Sequence, residues 1–292
     1  MKTRWLEKAA AVLCALCLAV GVMSGAVFAR ENPSSEEIAA PEASFVVVDT
    51  ASEEAAAAPA ETTDNRNTVP LLVNGQEVGA CAIIGGVPYA AAADFCWALY
   101  GEELPLAAEA GQEYFVCNGR YFYVEGGVPA VDGKAYLPVE DMAECLGVTA
   151  TWDRVQWTVS VEAEELSLLE SGDTYYNETD LYWLSRVIYA EAGNQPLKGQ
   201  IGVGNVVLNR LADEAFVGQD TIYDVIFAKN QFDVVANGMI YMEPGESAVI
   251  AAKLALEGWD VVSGATYFAT WDFGEGYECV IWLGDHCFMT AA

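Results

Sequence analysis

The amino-acid sequence predicts an α+β protein with two folded parts, a small mixed β/α accessory domain and a helix-rich domain after it. Between residues 69 and 163, alternating apolar runs are broken by Gly-containing turn pairs, a pattern typical of β-hairpins. Between residues 179 and 257, apolar residues recur with the period of a helix. The closing runs ATYFAT and VIWLGDHCFM are aromatic and strand-like, so a short sheet is expected to complete the second part.

Composition excludes several classes of function. The chain has 292 residues, 13 Lys and Arg against 43 Asp and Glu, and a net charge of −30. Nucleic-acid binding needs a basic surface, and so does electrostatic attachment to an anionic membrane, so neither partner is expected. The single histidine, His286, argues against zinc sites built from several histidines. The sequence therefore predicts no metal and no cofactor.

The first 29 residues have the composition of a signal peptide. Basic residues at positions 2, 4 and 8 precede the uncharged stretch 9–28, and Val27-Phe28-Ala29 fits a cleavage site. An uncleaved anchor is the alternative, since about 20 apolar residues can span a bilayer. In either case the rest of the chain is expected outside the cytoplasm, with no stable membrane span if the signal is removed.

Two linkers and a set of cysteines complete the expected organisation. Residues 30–68 are predicted to be disordered, because their Ala, Glu, Thr and Pro content cannot bury enough apolar surface to offset chain entropy. Residues 164–176 are predicted to be a second linker. Six cysteines follow the signal, and an exported chain permits disulfides among them: Cys81, Cys96, Cys117, Cys145, Cys279 and Cys287. The first four allow three pairings, which stay open.

The accessory domain, residues 69–163, carries an internal repeat. Helices are predicted near Ala92–Tyr100 and over Val139–Leu146, the second ending at Gly147. Four residues recur at a spacing of 47 positions, which predicts a duplicated strand–turn–helix unit: Gly86, Tyr89, Asp94 and Leu99 match Gly133, Tyr136, Asp141 and Leu146.

The second copy of this repeat resembles a known module. Its features are the run YLPVEDMAECLG, the turn at Trp152-Asp153 and the closing strand Trp157–Val161. They are similar to the repeat named after the N-terminal part of copper amine oxidases, over about 90 residues. The name implies no copper here, because the region has no histidine. The resemblance implies an accessory or wall-proximal module without catalytic function.

Three helices are predicted in the last domain, residues 177–292. The first covers Thr179–Ala192, with Thr179 or Asn177 as its cap and Gly193 as its end. The second has Pro196 in its first turn and runs to Arg210. Gly202 and Gly204 within it are expected to permit close helix packing. The third runs from about Glu246 to Glu257 and ends before Gly258.

Glu191 is the candidate catalytic residue. It lies in the last turn of the first predicted helix, between Ala190 and Ala192. The negative end of the helix dipole and small apolar neighbours both disfavour the carboxylate anion, so its pKa is expected to be raised. A carboxyl group that keeps its proton near neutral pH can act as a general acid. From the residues alone, an ordinary solvated glutamate at a helix end is the alternative.

The last domain resembles the SleB-type cell-wall hydrolases, the spore cortex-lytic enzymes, over residues 179–289. The resemblance is carried by five segments in the same order: LYWLSRVIYAEAGNQPLKGQIGVGNVVLNR, TIYDVIFAKNQFDVVANG, ESAVIAAKLALEGWD, ATYFAT and GDHCF. It implies a lysozyme- or transglycosylase-like fold, with Glu191 as the catalytic acid. It also implies peptidoglycan as substrate and a location at the cell wall or in the spore envelope.

The activity implied by the resemblance is lytic transglycosylation of MurNAc–GlcNAc β-1,4 bonds, in wall remodelling or in lysis of the spore cortex on germination. One carboxyl group then serves as acid and base. A muramidase with two carboxylates is the alternative, and Asp233 and Asp272 are the candidates for its second acid.

The remaining candidate residues are assigned to substrate binding, each with a structural alternative. Gln231 and Phe232 are expected to bond to and stack on a sugar, and Asn237 to bind an N-acetyl or hydroxyl group. Tyr267 and its neighbour Phe268 are candidates for lining the groove. His286 also matches the resemblance, although a hydrogen-bonded structural histidine is the favoured interpretation. For the other residues, core packing or turn formation is the alternative.

A second class of function stays open, a non-catalytic wall-binding protein that retains the hydrolase fold. Burial of Glu191 away from any groove would favour binding, whereas an open cleft with Gln231 and Phe232 would favour the enzyme. Asp285 stands where the resembled proteins usually have Asn, so it adds a negative charge near a site that is expected to need a protonated Glu191.

Overall fold

The structure is a computed structural model that describes residues 68–101, 106–164 and 167–292, all within one compact unit. The predicted signal peptide, 1–29, lies outside the described residues, as does the predicted linker apart from its last residue. Among the described helices, none is both long enough and apolar enough to cross a membrane.

A seven-stranded sheet forms the centre of the accessory domain. Its order is β7-β8-β3-β2-β1-β10-β9, and β1 runs parallel to β10 while the other neighbours are antiparallel. The strands are β1 (Thr68–Val73), β2 (Gln76–Ile84), β3 (Val87–Ala91), β7 (Ala130–Val131), β8 (Lys134–Pro138), β9 (Thr149–Asp153) and β10 (Thr158–Glu162). A smaller sheet contains β4 (Leu106–Ala108), β5 (Tyr114–Cys117) and β6 (Arg120–Tyr123) in sequence order.

The predicted hairpin turns are confirmed except at Gly126-Gly127, which lies between β6 and β7, strands of different sheets. Asn74-Gly75 joins β1 to β2 and Asn118-Gly119 joins β5 to β6, and all four residues have positive φ. A two-residue turn of this kind requires positive φ at both positions, which Asn and Gly adopt at little cost.

The duplicated unit is also confirmed as a repeated strand followed directly by a helix. Strand β3 leads into α1 (Ala92–Tyr100), and β8 leads into α2 (Val139–Leu146). The two strands are hydrogen-bonded neighbours, so the copies lie side by side. Helix α2 ends at Gly147, whose φ of 67° is the left-handed conformation expected of a helix-terminating glycine.

The segment predicted to be the second linker lies against the accessory domain. From residue 167 onward it is held to the accessory domain by backbone hydrogen bonds from Leu169 to Cys145 and from Gly172 to Asn118. It contains the short helix α3 (Gly172–Tyr175), and Tyr176 behind it is buried. Two backbone N–H groups of the segment thus find partners on the neighbouring domain.

The last domain contains the helices α4 (Glu178–Ala192), α5 (Leu197–Ala212), α6 (Ile222–Phe227), α7 (Asp233–Ala236) and α8 (Glu246–Leu256), with a 3₁₀ turn (Met239–Tyr241) before α8. The three predicted helices are confirmed as α4, α5 and α8, whereas α6, α7 and the 3₁₀ turn were not predicted. Asn177 is the cap of α4, since its side chain accepts hydrogen bonds from the N–H groups of Thr179 and Asp180. Pro196 precedes α5 as its cap rather than standing inside the first turn.

A three-stranded sheet closes the domain in the order β11-β13-β12. The strands are β11 (Tyr267–Ala269), β12 (Tyr277–Leu283) and β13 (His286–Ala291). The small residues of α5 allow this sheet and α8 to approach, because a Cβ on Gly202 would meet the Phe288 ring at 2.7 Å and one on Gly204 would meet Ala255 at 3.0 Å. Both packing predictions are confirmed.

Two of the possible disulfides are present, Cys117–Cys145 and Cys279–Cys287, while Cys81 and Cys96 are buried free thiols. The first joins the small sheet to α2, and the second joins β12 to β13. Each therefore lies within one domain.

The β5–β6 hairpin of the accessory domain packs on the last domain. Tyr123 belongs to the core cluster of the last domain, and its ring meets Trp259 at 6.2 Å in an edge contact. Lys253 on α8 lies 4.7 Å from the ring centre of Tyr121. The two domains thus share apolar surface as well as the linker.

Candidate active site

The last turn of α4 brings Glu191 to a partly buried position. Its neighbours Ala190 and Ala192 are partly and fully buried, so the carboxyl group emerges among small apolar side chains. Helix α4 is anchored by the buried residues Leu184, Val187 and Ile188, which face the core. The position of Glu191 is therefore fixed by the packing of its helix.

The pKa of Glu191 is raised to about 7. Burial is the largest cause, the negative charge of Asp233 adds to it, and the positive charge of Arg210 opposes it. The sequence-based expectation of a raised pKa is confirmed, with desolvation as the expected cause and Asp233 as an additional one. A carboxyl group with this pKa is half protonated at neutral pH and can exchange its proton in both directions.

Arg210 is a buried cation next to this carboxyl group. It lies in the last turn of α5 and is 5 % exposed. Its Nε donates a hydrogen bond to the carbonyl oxygen of Thr266 at 2.7 Å, whereas Nη1 has no hydrogen-bond partner among the described residues. Burial lowers the pKa of Arg210 to about 10, so it stays charged at neutral pH.

Three aromatic rings surround the Arg210 guanidinium group. Its central carbon lies 5.0 Å from the ring centre of Phe232, 5.5 Å from Phe216 and 5.6 Å from Tyr267. Ring faces attract cations, so the rings offset part of the cost of burying the charge. This arrangement holds a positive charge beside Glu191 without pairing it to a carboxylate.

The segment with the predicted sugar-binding residues runs past this pair. Phe232 is buried against Arg210, and Asp233 begins α7 as the carboxylate that acts on Glu191. Gln231 is partly buried immediately before them. Asn237 is exposed at the end of α7, where its Oδ1 accepts the Met239 N–H at 2.9 Å. Asn237 therefore has a turn-forming role, and its contact with a sugar stays a prediction.

Tyr267, Phe268 and His286 lie on the closing sheet. Phe268 connects the sheet to the site, since its ring lies 6.4 Å from Phe232 and 5.3 Å from the imidazole of His286. His286 is 7 % exposed, and burial lowers its pKa. Its Nδ1 has no hydrogen-bond partner among the described residues, so the expected hydrogen bond of this histidine stays a prediction. The ring packs against Phe268 and Phe288.

Asp285 is tied to the chain just after Glu191. Gln195 accepts the Asp285 N–H at 2.8 Å and donates to its Oδ2 at 3.2 Å. The charge of Asp285 raises the pKa of His286 but is not among the causes of the Glu191 shift. Gln195 thus fixes the β12–β13 turn to the end of α4 and makes the Asp285 carboxylate a structural partner.

Asp272, the other candidate for a second carboxylate, lies outside this group. It is exposed in the loop after β11, where its Oδ1 accepts the Gly274 N–H at 2.9 Å. Within the described ranges, no three His, Cys, Asp or Glu side chains converge in a way that could hold a metal ion.

Two cavities of about 390 and 330 Å³ lie in the accessory domain, and neither is lined by Glu191, Gln231 or Phe232. The group around Glu191 is therefore identified by its chemistry rather than by an enclosed space. It combines a carboxyl group with a pKa near neutrality, a second carboxylate, several aromatic rings and a buried guanidinium that forms no salt bridge with a described residue.

Arg210 and Gln195 are site residues that sequence reasoning does not distinguish. Both lie inside the run that carries the SleB resemblance, but nothing in their spacing separates them from helix or loop residues. Their roles depend on Phe232, Thr266 and Asp285, which arrive from later parts of the chain.

Comparison with known proteins identifies the domain. Residues 194–289 match the family described as Cell Wall Hydrolase, so the chain contains a SleB-type cell wall hydrolase domain. Glu191 lies three positions before the matched range. The spore cortex-lytic enzyme of Oceanobacillus iheyensis is 38 % identical over 93 residues, which are 32 % of this chain and 33 % of that protein. The corresponding enzyme of Halalkalibacterium halodurans is 41 % identical over 93 residues, 32 % of this chain and 28 % of that protein.

The crystal structure of the catalytic domain of the Bacillus cereus SleB protein matches with 31 % identity and a TM-score of 0.36. The match covers 41 % of this chain and 100 % of that domain. The chain spans about a third of the length of the two cortex-lytic enzymes it matches. The accessory domain lies outside the range matched by the family.

Proposed function

We propose that this chain cleaves the glycan strand of peptidoglycan, acting as a lytic transglycosylase at MurNAc–GlcNAc β-1,4 bonds through Glu191. The observation that carries the proposal is a partly buried glutamate with a pKa of about 7, beside the buried Arg210 and adjoining a cell wall hydrolase domain. A single carboxyl group poised near neutral pH can serve as both acid and base.

In the first step, Glu191 donates its proton to the glycosidic oxygen as the bond from that oxygen to C1 of the muramoyl sugar breaks. The resulting Glu191 anion lies near Arg210, whose positive charge lowers the pKa of Glu191 and so favours the ionised state. In the second step, the C6 hydroxyl oxygen of the same sugar bonds to C1, and Glu191 takes the hydroxyl proton. The products are a 1,6-anhydro sugar end and a free hydroxyl on the leaving sugar, with no water consumed.

A muramidase with two carboxylates is the second candidate function. The observation that favours it is the effect of the Asp233 charge on the pKa of Glu191. This charge acts directly on Glu191, as expected of a pair of acids flanking one bond. Asp233 would then activate water or attack C1 while Glu191 acts as the acid. Asp272 has no comparable relation to Glu191, so Asp233 is the carboxylate to test first.

The proposed setting is outside the cytoplasm, at the cell wall or in the spore envelope. The apolar N-terminal stretch with its cleavage site supports export. The names of the two cortex-lytic relatives support the spore cortex as substrate. Vegetative wall peptidoglycan is the other substrate, and we infer that the accessory domain, similar to the copper amine oxidase N-terminal module, keeps the enzyme near it.

The test is digestion of purified peptidoglycan, with and without muramic lactam, by the mature protein and by Glu191→Gln. Mass spectrometry of the released ends separates the mechanisms. Anhydro-muramoyl ends that disappear in the variant support transglycosylation through Glu191, whereas reducing ends point to hydrolysis with Asp233. Cleavage only of the lactam-containing substrate would assign the cortex. Binding without release by the unaltered protein would instead indicate a wall-binding protein that retains the fold.

A further inference from the structure

A row of exposed aromatic side chains leads away from the candidate active site. Its members are Trp271, which is 62 % exposed, Phe273 at 38 % and Tyr277 at 36 %. They stand on the loop 270–276 and at the start of β12, with Tyr267 of β11 at the inner end. Large apolar side chains gathered at a surface in this way mark a site for a ligand or partner.

The rings are in contact with one another. Tyr267 meets Tyr277 at 5.2 Å, Tyr277 meets Phe273 at 4.9 Å, and Phe273 meets Trp271 at 6.0 Å between ring centres. The first two contacts are edge-to-face, a favourable arrangement that fixes the planes of the rings. We call these four side chains the aromatic row.

The aromatic row is continuous with the site of the proposed reaction. Tyr267 lies 5.6 Å from the Arg210 guanidinium carbon, and Arg210 acts on the charge of Glu191. The inner end of the row, Tyr267, therefore lies beside the position where the reacting bond would bind. The outer end of the row is the exposed Trp271.

Backbone hydrogen bonds hold the loop that carries the row. The Asp272 carboxylate accepts the Gly274 N–H at 2.9 Å, the Tyr277 N–H donates to the Gly274 carbonyl at 3.0 Å, and the Ala292 N–H donates to the Gly276 carbonyl at 3.0 Å. The Phe273 N–H also points at the sulfur of the buried Met289. A surface that is ordered before binding loses less entropy when it binds.

Charge around the row narrows the class of ligand. The acidic side chains Asp272, Glu275 and Glu278 are exposed next to the rings. They repel nucleic acid, anionic wall polymers and a second copy of this chain, whose net charge is −30. Carboxylates accept hydrogen bonds from hydroxyl groups, and ring faces pack against the apolar face of a pyranose. This combination suits an uncharged stretch of polysaccharide.

We propose that the aromatic row binds the glycan strand several sugars away from the bond cleaved at Glu191. The proposal rests on the proposed function in that the same strand occupies both places. It makes the enzyme selective for long glycan strands over short fragments, because only a long strand reaches Trp271. Sugars stacked on the row also keep the strand in place between successive cleavages.

The test measures binding by the full chain carrying Glu191→Gln, so that no turnover interferes. The probes are uncharged β-1,4-linked N-acetylglucosamine oligosaccharides of two and of eight sugars, titrated by calorimetry. Trp271→Ala is compared with Trp271→Phe, which keeps an aromatic face, and with Tyr223→Ala. Tyr223 is a control because it is an aromatic residue of the last domain that is 44 % exposed on α6, outside the aromatic row.

We expect Trp271→Ala to weaken binding of the eight-sugar probe about tenfold, equal to about 1.4 kcal/mol, and to leave the two-sugar probe within about twofold. Trp271→Phe is expected to recover most of the loss, and Tyr223→Ala to show none. Equal affinity of Trp271→Ala and Tyr223→Ala for the eight-sugar probe would overturn the proposal. Equal weakening for both probes would overturn it as well, since Trp271 would then act at the cleavage position.

This measurement separates the two proposals. A chain that fails to cleave peptidoglycan still reports on the aromatic row through its affinity for the eight-sugar probe. A chain that cleaves through Glu191 but binds long and short probes alike after Trp271→Ala retains the proposed function and loses this inference.

Discussion

Glu257 lies beside the partly buried Arg120 and Glu191 beside the buried Arg210, and the two carboxylates differ in how far hydrogen bonds and ion pairs satisfy their charge. Glu257 joins the two domains. Its oxygens accept hydrogen bonds from Arg120, at 2.8 Å from Nε and again from Nη2, and from the Tyr176 hydroxyl at 2.5 Å. Glu191 forms no ion pair or side-chain hydrogen bond with a described residue.

The same contrast holds for the two arginines. Burial opposes the charge of Arg120, but the hydrogen bond and charge of Glu257 outweigh it and raise the pKa of Arg120. Among the described residues, Arg210 has a carbonyl as its hydrogen-bond partner and ring faces around it, and burial lowers its pKa although the charge of Glu191 raises it. A satisfied pair is fixed and serves to hold two domains together. An unsatisfied pair keeps a group that can gain and lose a proton, which is what catalysis requires.

The largest effect expected from this contrast is on turnover. Replacing Glu191 by Gln removes the only proposed proton carrier and should lower kcat on peptidoglycan by about a thousandfold, the scale of general acid catalysis. Glu257→Gln is the control carboxylate, and the molecules that remain folded should keep their kcat. Soluble product released per hour from purified sacculi measures both. Full activity of Glu191→Gln would contradict the assignment.

The second effect is on stability, and here Glu257→Gln, the control for turnover, is expected to be the damaging variant. Glu257→Gln leaves the Arg120 guanidinium, whose side chain is 12 % exposed, without its counter-charge, and should lower the free energy of unfolding by about 3 kcal/mol. Urea unfolding at pH 7 measures it. Lys198→Ala breaks the exposed Lys198–Glu125 pair between the same domains and should cost less than about 1 kcal/mol. Equal losses for the two variants would mean that burial does not distinguish the pairs.

The third effect is a gain in stability when Glu191 is replaced by Gln. The folded-state pKa of about 7 lies above the ordinary value of 4.5, so folding favours the protonated form. The contribution of Glu191 to the free energy of unfolding is therefore fully present below pH 4.5. It is lost as the pH rises through 7, and at higher pH it no longer changes. Glu191→Gln cannot ionise, so at pH 8 it should be more stable than the unaltered chain by about 1 to 3 kcal/mol, a range reduced for partial exposure.

The difference in unfolding free energy between the two proteins should disappear at pH 4. Unfolding curves at pH 4 and pH 8 provide the measurement. A variant that is less stable at pH 8 would show that the ionised carboxylate of Glu191 is stabilised in the fold, contrary to its raised pKa.

Local features of the sequence predict much of this molecule. The Asn-Gly turns, the glycine that ends α2 and the asparagine that caps α4 each act within a few residues, so their effect is visible in the chain. Glu191 is predictable for the same reason, because its helix end and its alanine neighbours are local. The SleB resemblance then assigns a role that local physics leaves open.

Features that need distant partners are not predictable in this way. Arg120 and Glu257 are 137 positions apart, and neither residue alone indicates that it will be buried in a pair. Arg210 becomes a site residue only because Phe232 and Tyr267 fold over it. The segment 167–176 has the composition of a linker, yet its backbone bonds to the accessory domain.

The smallest expected effect separates the two mechanisms at Glu191. Asp233 raises the pKa of Glu191, so Asp233→Asn should lower it and move the alkaline limb of the kcat/KM profile to lower pH. The displacement should be less than about one pH unit, because burial is the larger cause of the shift. Asp272→Asn is the matched control and should not move the limb.

If Asp233 is instead the second carboxylate of a muramidase, its replacement should lower kcat at every pH by about a hundredfold or more, with reducing ends among the products that remain. A transglycosylase that needs only Glu191 should keep its kcat at low pH and should still release anhydro products. The pH profile and the chemistry of the product ends together decide whether one carboxylate or two act here.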